Sequence, residues 1–431
     1  MKTAAVLAVA CLLASQAVAK SPSYHRLPPL REQARLQNEW VAERTAAIPD
    51  LLYKHNVDAW LISQREYAEE TIFWVLKSAE TFSARRRTTY LYMANTTHGG
   101  PAAYSWIDNT PQIWDDILEV LERHEPATIA VNDHQELAFA SGLHAGERDI
   151  IAAELGSRWT DRFVLRPLLS LDLIGTQIAA RLDWYRKLQE TAWAMISKAF
   201  SAEVITAGET TPADVEWWLR EELQAHNLTT WFPPSVSILV DERFPGPDRA
   251  IAPGDMLHVD FGVTAMGMNT DTQHLAYVLR PGESEAPRGL REGLRKANRM
   301  QDISREMMRP GRTGNEILKD TLAQMDKEGI AGKVYSHAVG DWGHAAGAVV
   351  GMTNLQDHVP VLGDLPLLSD TWYSVELYAE HAVPEFGGAT VPFALEEDVY
   401  WDASTQTFEW LYARQDEFHL ITTSHLSSEE L

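Results

Sequence analysis

The stretch that decides the fold is MLHVDFGV, residues 256–263, together with the run NTDTQHLAYV, residues 269–278, that follows it. The first run follows the Pro253-Gly254 turn and predicts a strand, residues 265–267 predict a turn, and the second run predicts the returning strand. Side chains directly opposite each other on paired strands lie roughly 5 Å apart. We therefore expect the hairpin to bring the carboxylates of Asp260 and Asp271 close together.

Three further segments place a histidine or an acid in surroundings that suit a metal ion. His344 lies among small residues at 343–347, where the backbone can approach a ligand closely. Glu376 and Glu396 each lie in an apolar run typical of a strand. A buried acid without a partner is costly, and a shared cation removes the repulsion between close carboxylates. Two hard or borderline divalent cations would explain all of these acids and the histidine together. The two aspartates alone could equally well be ordinary polar residues near a hairpin.

The order of these residues resembles the pita-bread metallopeptidases, the family of methionine aminopeptidase, Xaa-Pro aminopeptidase, prolidase and creatinase. The shared order is Asp, a second Asp eleven residues later (260 to 271), Gly-His-x-x-Gly, Val-Glu, and Glu-x-Asp near the end. The resemblance covers about residues 182–422. It implies an α/β (α+β) fold, in which a carboxy-terminal pita-bread lobe of two similar halves follows a smaller, creatinase-like α/β domain.

The resemblance also implies a role for each residue. Asp260 would bind one metal ion, Asp271 and Glu396 would bridge two ions, and His344 and Glu376 would bind the second. A water or hydroxide between the ions would be the nucleophile, because two cations lower its pKa and polarise the substrate carbonyl. Glu376 also resembles the family residue that moves a proton. These ligands suit manganese, which we expect, with cobalt or zinc as alternatives.

The chain departs from the family outside the ligand set. The family commonly has a histidine seven residues after the ligand histidine and an arginine two before the last glutamate, where this chain has Gly351 and Ala394. Residues 271–274 read Asp-Thr-Gln-His in place of Asp-x-Thr-Arg. His337, seven residues before His344, is the candidate for a catalytic histidine. Further candidates for groups that act on or shape the substrate are His258, His358, His381, Asp341 and Trp342.

The domain boundaries follow from the distribution of predicted elements. We expect a creatinase-like domain over residues 20–175 and the catalytic domain over residues 176–431. Helical spacing marks residues 30–54 and 113–125 of the first domain. Its predicted strands lie at 59–63, 88–93 and 128–131. The first domain contains no identified catalytic constellation.

A repeated pattern predicts that the catalytic domain has two similar halves. A helix predicted over residues 182–206 leads to Gly208, and Gly311, 103 positions later (311 − 208), also follows a predicted helix. After each glycine come a threonine and an acid–aliphatic pair that begins another helix, predicted over 215–225 and 317–327. Each half would then continue into strands.

The amino terminus predicts secretion. Residues 1–19 combine a positive start, a short uncharged apolar run and the small-x-small site at 17–19, which is the pattern of a signal peptide. Cleavage before Lys20 would place the protein outside the cell, or in the periplasm if the source is bacterial. An amino-terminal membrane anchor is the alternative. Cys11 is the only cysteine, so the mature chain would have no disulfide.

The acidic composition bears on partners. The formal net charge is −24, and an acidic surface repels phosphate backbones, so we expect no nucleic acid as a partner. No segment after the leader has the length of a membrane span, so we expect no membrane partner either. Asn95 and Asn227 begin sequons, which indicate a glycoprotein. A homodimer is expected only from the resemblance.

The function hypotheses follow from the ligand set and its surroundings. The first is a dinuclear exopeptidase that acts on short peptides, of the Xaa-Pro aminopeptidase or prolidase type, with the proline preference implied by the resemblance alone. The second is a two-metal hydrolase of a non-peptide amide or ester, and the third is a metal-binding homologue without turnover. The sequence contains no Gly-x-Ser-x-Gly motif, which excludes the serine-hydrolase interpretation, and no His-Glu-x-x-His motif, which excludes the zincin interpretation.

Overall fold

The computed structural model describes residues 21–97, 99–239 and 249–422. The predicted signal peptide, its cleavage site and Cys11 lie outside these ranges. Both sequon asparagines, Asn95 and Asn227, are described and are exposed. In the described part of the chain, no helix combines the length and apolar character that crossing a membrane requires.

The amino-terminal part of the chain forms a mixed five-stranded sheet with helices around it. The strands are β1 Ala59–Arg65, β2 Arg87–Met93, β3 Ala103–Ile107, β4 Ile129–Val131 and β5 Phe163–Leu165, in the order β3-β2-β1-β4-β5. The helices are α1 Leu30–Ala46, α2 Ile48–Lys54, α3 Thr71–Leu76, α4 Gln112–His124, α5 Ala145–Leu155, α6 Ser157–Thr160 and α7 Pro167–Gly175. Trp60 and Ile62 of β1 face one core, whereas Ala59 and Leu61 face another. This alternation shows that both faces of the central strand are covered.

The helical segment predicted over residues 30–54 is divided into α1 and α2. The two helices meet at Ala47, and Pro49 lies in the first turn of α2. Proline lacks an amide hydrogen, so it fits a first turn but interrupts a continuous helix. The predicted domain boundary after residue 175 follows the last residue of α7 and stays a prediction.

The described residues after α7 form a nine-stranded sheet, a separate two-stranded hairpin and four α-helices. The helices are α8 Leu182–Ala199, α9 Pro212–Ala225, α10 Arg288–Met307 and α11 Gly314–Glu328. The strands are β6 Ser235–Leu239, β7 Met256–Phe261, β8 Thr264–Ala265, β9 Met268–Asn269, β10 Thr272–Val278, β11 Ala331–Val334, β12 His337–Val339, β13 Trp372–Val383, β14 Ala389–Asp402, β15 Thr407–Trp410 and β16 His419–Ile421. The large sheet runs β11-β13-β14-β10-β7-β6, with β12 on β13, β15 on β14 and β16 on β10, while β8 and β9 form the hairpin.

The helices cover the side of the large sheet that lies opposite the predicted ligands. Val259 and Phe261 of β7 pack in a core with α8 and α9, and Asp260 lies between them in sequence. Val375 and Leu377 of β13 likewise pack with α10 and α11. Since side chains of a strand alternate between its faces, the acids at the intervening positions project from the other face.

The repeated pattern of the two halves is present in the structure. Thr211 caps α9 and Thr313 caps α11, and each threonine forms a capping box with the acid three residues later. The preceding turns pass through Gly208 and Gly311 at φ of +89° and +87°. Such angles favour glycine, so the same residue types produce the same turn twice.

The helix predicted over residues 182–206 ends early, at Ala199. The Ser201 hydroxyl donates to the carbonyl of Lys198, and the amides of Val204 and Ile205 donate to the carbonyl of Ser201. This local turn replaces the helical hydrogen bonds. Val204 still packs against the core, which explains why the apolar spacing extends beyond the helix.

The hairpin after β7 differs in one detail from the expectation. Met266 and Gly267, both at positive φ, form the predicted turn, but the returning strand is broken into β9 and β10. Asp271 lies in the break, and its amide donates to Asp398 on β14 instead of joining the β7 ladder. The break leaves Asp271 beside the carboxylates of the neighbouring strands.

Candidate metal centre

Strand register brings the predicted ligands into one row across the sheet. Asp260 lies opposite Gln273, Gln273 lies opposite Glu396, and Glu396 lies opposite Glu376. Asp271 is two positions before Gln273, on the same face of the chain. Directly paired side chains lie about 5 Å apart, so the row is close enough for neighbouring oxygens to share an ion.

His337 completes the most compact group of ligand atoms. Its Nε2 atom lies 3.7 Å from Asp271 Oδ2, 3.7 Å from Glu376 Oε2 and 3.5 Å from Glu396 Oε1. Asp271, His337 and Glu396 are all buried, and each offers a ligand atom within 4.8 Å of the others. The other ring nitrogen of His337 bonds the carbonyl of Ala338, which leaves Nε2 facing the carboxylates.

Unpartnered polar atoms show that the residues fit a divalent cation. Asp260 Oδ1, Asp271 Oδ1 and His337 Nε2 are buried and have no hydrogen-bond partner within the described residues. Buried polar groups normally have partners, and a cation would supply one to all three. Carboxylate oxygens with one imidazole nitrogen suit manganese, cobalt or zinc.

The carboxylates also perturb one another in the absence of an ion. Burial, and then the charge of Glu396, raise the pKa of Asp260 to about 8. The same two causes, in that order, raise the pKa values of Asp271 and Glu376 well above their ordinary range. Acids that resist ionisation this strongly become favourable anions only beside a positive charge.

His344, the histidine predicted as a ligand, lies at the edge of this group. It is exposed, and its ring packs against the rings of His337 and Trp231, with centroids at 4.6 and 5.1 Å. The predicted catalytic residue His337 therefore lies closer to the acids than the predicted ligand. The assignment of His344 as a metal ligand stays a prediction.

The loop between the two histidines is held by a buried ion pair. Asp341 Oδ2 lies 3.0 Å from Arg44 Nη2 in α1 and 2.9 Å from Arg181 Nη1 at the start of α8. Both arginines are buried. Asp341 therefore anchors the loop to two other elements, and Trp342 packs against Phe139. That Asp341 and Trp342 shape the substrate site stays a prediction.

A second network supports the acids from the helix side of the sheet. Glu397 accepts bonds from His274 at 2.9 Å and from the indole of Trp193 in α8 at 3.0 Å. His274 also contacts His419 at 3.0 Å. Burial lowers the pKa of His274 to about 3, so this ring is neutral. His274, where the family has arginine, thus serves as a buried anchor between strands.

The remaining candidate histidines have other surroundings. His258 is partly buried, and its Nε2 lies 2.9 Å from Oε1 of Gln273. His358 is exposed and lies near Asp364 at the surface. His381 lies 4.0 Å from Glu292 of α10. Of these three, only His258 is linked to the row of acids.

The acids form one wall of a cavity of about 630 Å³. Glu136, Leu137 and Phe139 from the amino-terminal part of the chain line it, as do Trp231 and Phe232 from the segment before β6. Its remaining lining includes Ala138, Tyr335, His344, Met352 and Leu362. The cavity thus joins an acidic, metal-compatible surface to apolar and aromatic walls.

The comparison with protein families agrees with this geometry. Residues 183–381 match the family model described as metallopeptidase family M24. This matched segment makes up a little under half of the chain, and it is similar to metallopeptidase family M24. The match confirms the pita-bread resemblance and supports the prediction of a metal-dependent peptidase. It spans most of the large sheet and contains four of the five predicted ligands, and Glu396 follows it in sequence.

Solved structures show where the fold recurs beyond the M24 segment. An X-Pro aminopeptidase from Thermotoga maritima has a TM-score of 0.60 at 16% identity, covering 85% of this chain and 98% of its own. A Xaa-Pro dipeptidase from Bacillus anthracis has a TM-score of 0.58 at 15% identity, covering 88% and 99%. A dipeptidase from Mycobacterium ulcerans has a TM-score of 0.56 at 17% identity, covering 89% and 98%. No curated protein matches this chain. At these identities the likeness confirms the α/β fold alone.

Two features of the site could not be predicted from the sequence. Gln273 was identified as a departure from the family pattern, but its contact with the acids depends on the pairing of β10 with β14. The apolar wall formed by residues 137–139 gave no local signal, because these residues are brought to the site only by packing between the two parts of the chain.

Proposed function

We propose that this M24 protein is a metal-dependent exopeptidase that removes residues from the amino termini of short peptides. The observation that carries the proposal is the group of Asp271, His337, Glu376 and Glu396 in the wall of a cavity large enough for a peptide end. Two divalent ions, manganese in the first place, would occupy the acidic row. Bound metal would supply an activated water and polarise the scissile carbonyl.

The chain's own residues would orient the substrate and move the proton. Glu376 lies on the cavity wall and faces His337, which places its carboxylate to accept and return a proton. Glu136 adds a further carboxylate to the lining. Because the proposed ions would neutralise the acids of the row, Glu136 is the lining carboxylate that would attract the ammonium end of a peptide and repel its carboxylate end. This charge favours an aminopeptidase over a dipeptidase that must hold both ends.

The experiment is cleavage of a peptide library with Mn²⁺, in which the products are identified by mass spectrometry. Peptides with proline at the second position belong in the library because the Xaa-Pro preference is part of the proposal. Wild-type protein should release single amino-terminal residues, and Asp271→Ala should abolish this activity. Asp183→Ala, which changes an exposed acid of α8, is the matched control and should retain it. Activity that survives in Asp271→Ala would contradict the assigned role.

A second candidate is a metal-dependent hydrolase of an apolar amide or ester. The aromatic and aliphatic walls favour it, because such pockets bind apolar groups well. Gly351 and Ala394, where the family has histidine and arginine, also remove groups that would contact a peptide. Hydrolysis of apolar esters without release of any amino acid would support this candidate, and a metal-binding protein without turnover would act on neither substrate.

We also propose that the protein is secreted and glycosylated. The leader pattern at residues 1–19 supports export, and the exposure of Asn95 and Asn227 is compatible with their modification. Expression of the full chain in a eukaryotic secretory host tests both proposals. The medium should contain protein that begins at Lys20 and shifts in mass after deglycosylation, and retention of the leader in cells would contradict export.

A further inference from the structure

Gln273 occupies the middle of the acidic row. It lies in β10 opposite both Asp260 and Glu396, and it is almost completely buried. Its neighbours on either side are therefore carboxylates that the proposed function assigns to metal binding. An uncharged amide at this position separates the Asp260 side of the row from the His337 side.

The hydrogen bonds determine which way the amide points. Its nitrogen donates to Glu376 Oε1 at 2.5 Å and to Glu396 Oε2 at 2.7 Å. Its oxygen contacts His258 Nε2 at 2.9 Å. Beside bound ions the two glutamates are carboxylates that only accept hydrogen bonds, so a flipped amide would place its oxygen against two acceptors. An N–H at His258 Nε2 completes the same arrangement by donating to the amide oxygen.

This arrangement divides the carboxylate oxygens unequally. Gln273 takes one oxygen of Glu376 and one of Glu396. The other oxygens, Glu376 Oε2 and Glu396 Oε1, face His337 Nε2 together with Asp271 Oδ2. The His337 side thus retains four converging ligand atoms. On the Asp260 side, the Gln273 amide donates a hydrogen bond to Glu396 Oε2, the oxygen that a second ion would share.

We propose that Gln273 is a positioning residue that makes the two ion positions unequal, a step that rests on the proposed metal-dependent function. One ion binds tightly beside His337, and a second binds on the Asp260 side only after the amide moves away from Glu396. Between Glu376 and Glu396 the Gln273 amide replaces a cation, because its two N–H groups stabilise both glutamates by hydrogen bonds and without a charge. The protein therefore holds one ion at metal concentrations that would fill two equivalent sites.

Metal counting tests this proposal without any substrate. Metal-free protein is titrated with Mn²⁺ by isothermal calorimetry, and the ions retained after desalting are counted by mass spectrometry. Wild type should retain one ion per chain and bind a second at least about tenfold more weakly. Gln273→Ala and Gln273→Glu should both bind the second ion at least about tenfold more tightly than wild type, and the glutamate variant covers the case in which the alanine variant fails to fold.

The control is Gln189→Ala. Gln189 is also a buried glutamine, and it bonds the side chain of Thr272 rather than the acids of the row. The Gln189→Ala variant should therefore retain one Mn²⁺ ion per chain, as the wild type does. Two equally tight ions in wild type, or a count and affinity unchanged in both Gln273 variants, would overturn the inference. If metal binding follows the expectation but no peptide is cleaved, the proposed function fails while the role of Gln273 stands.

Discussion

Removing the metal should make the stability of this protein fall as the pH rises. In metal-free protein, burial and the charge of Glu396 raise the pKa of Asp260 from 3.8 to about 8. Between these two values the folded state keeps a proton that the unfolded state has already released. Stability therefore decreases with rising pH in this window, because folding must take up a proton that becomes scarcer.

The size of the effect follows from the difference between the two pKa values. Each unit corresponds to about 1.4 kcal/mol, so Asp260 alone accounts for a loss on the order of 5 kcal/mol between about pH 4 and pH 8. Asp271 and Glu376, whose pKa values are raised in the same direction, act with the same sign. The loss is comparable with the whole stability of many domains. Bound metal removes it, because the ion stabilises the ionised carboxylates.

The assay is urea unfolding of chelator-treated protein at several pH values between 5 and 8, with and without Mn²⁺. The midpoint of the metal-free protein should fall steadily, whereas saturating Mn²⁺ should raise it, most of all at pH 8. Asp260→Asn, which keeps the size of the side chain but cannot titrate, should show a smaller slope. A metal-free stability that is constant or increases from pH 5 to pH 8 would refute the reasoning.

Three further predictions concern the loop and the helices around the site. His337→Ala should weaken Mn²⁺ binding, measured by calorimetry, by more than the roughly 10–100-fold that is typical of losing an outer-shell partner. His344→Ala should weaken it much less. The opposite ranking would return the ligand role to His344. Asp341→Ala leaves two buried arginines without their carboxylate, so thermal and urea unfolding should show a loss of about 3–5 kcal/mol. Thr313→Ala and Thr211→Ala should each lower the free energy of unfolding by about 1 kcal/mol, because both threonines form the same capping box. Urea unfolding measures the loss. No loss in either variant would contradict the role of the capping boxes.

The alternation of the strands and the two similar helix starts could be predicted from local sequence. The strand runs around Asp260 and Glu376 alternate apolar and acidic residues, and that alternation alone places the acids on one face. The threonine–acid pairs at Thr211 and Thr313 begin helices wherever they occur in such a context. The family resemblance supplied the pita-bread fold class, and the match to the M24 family model confirms that resemblance.

Helix and strand ends were predicted less well. The extent of α8 was overestimated because Val204 continues the apolar spacing while the Ser201 turn ends the helix. The break at Asp271 depends on its bond to Asp398, which is 127 residues away in the chain. A local pattern contains no information about such a distant partner.

The sequence by itself determined which residue types carry the chemistry, namely four acids on strands and two histidines seven residues apart. Only the tertiary structure decided how they meet. The pairing of His337 with Ser374 brings that ring beside Glu376, whereas Asp341, held by two arginines, leads the chain away to an exposed His344. The contacts of Gln273 and the apolar wall from residues 137–139 likewise depend on long-range pairing, because strand register and lobe packing are set by the whole chain.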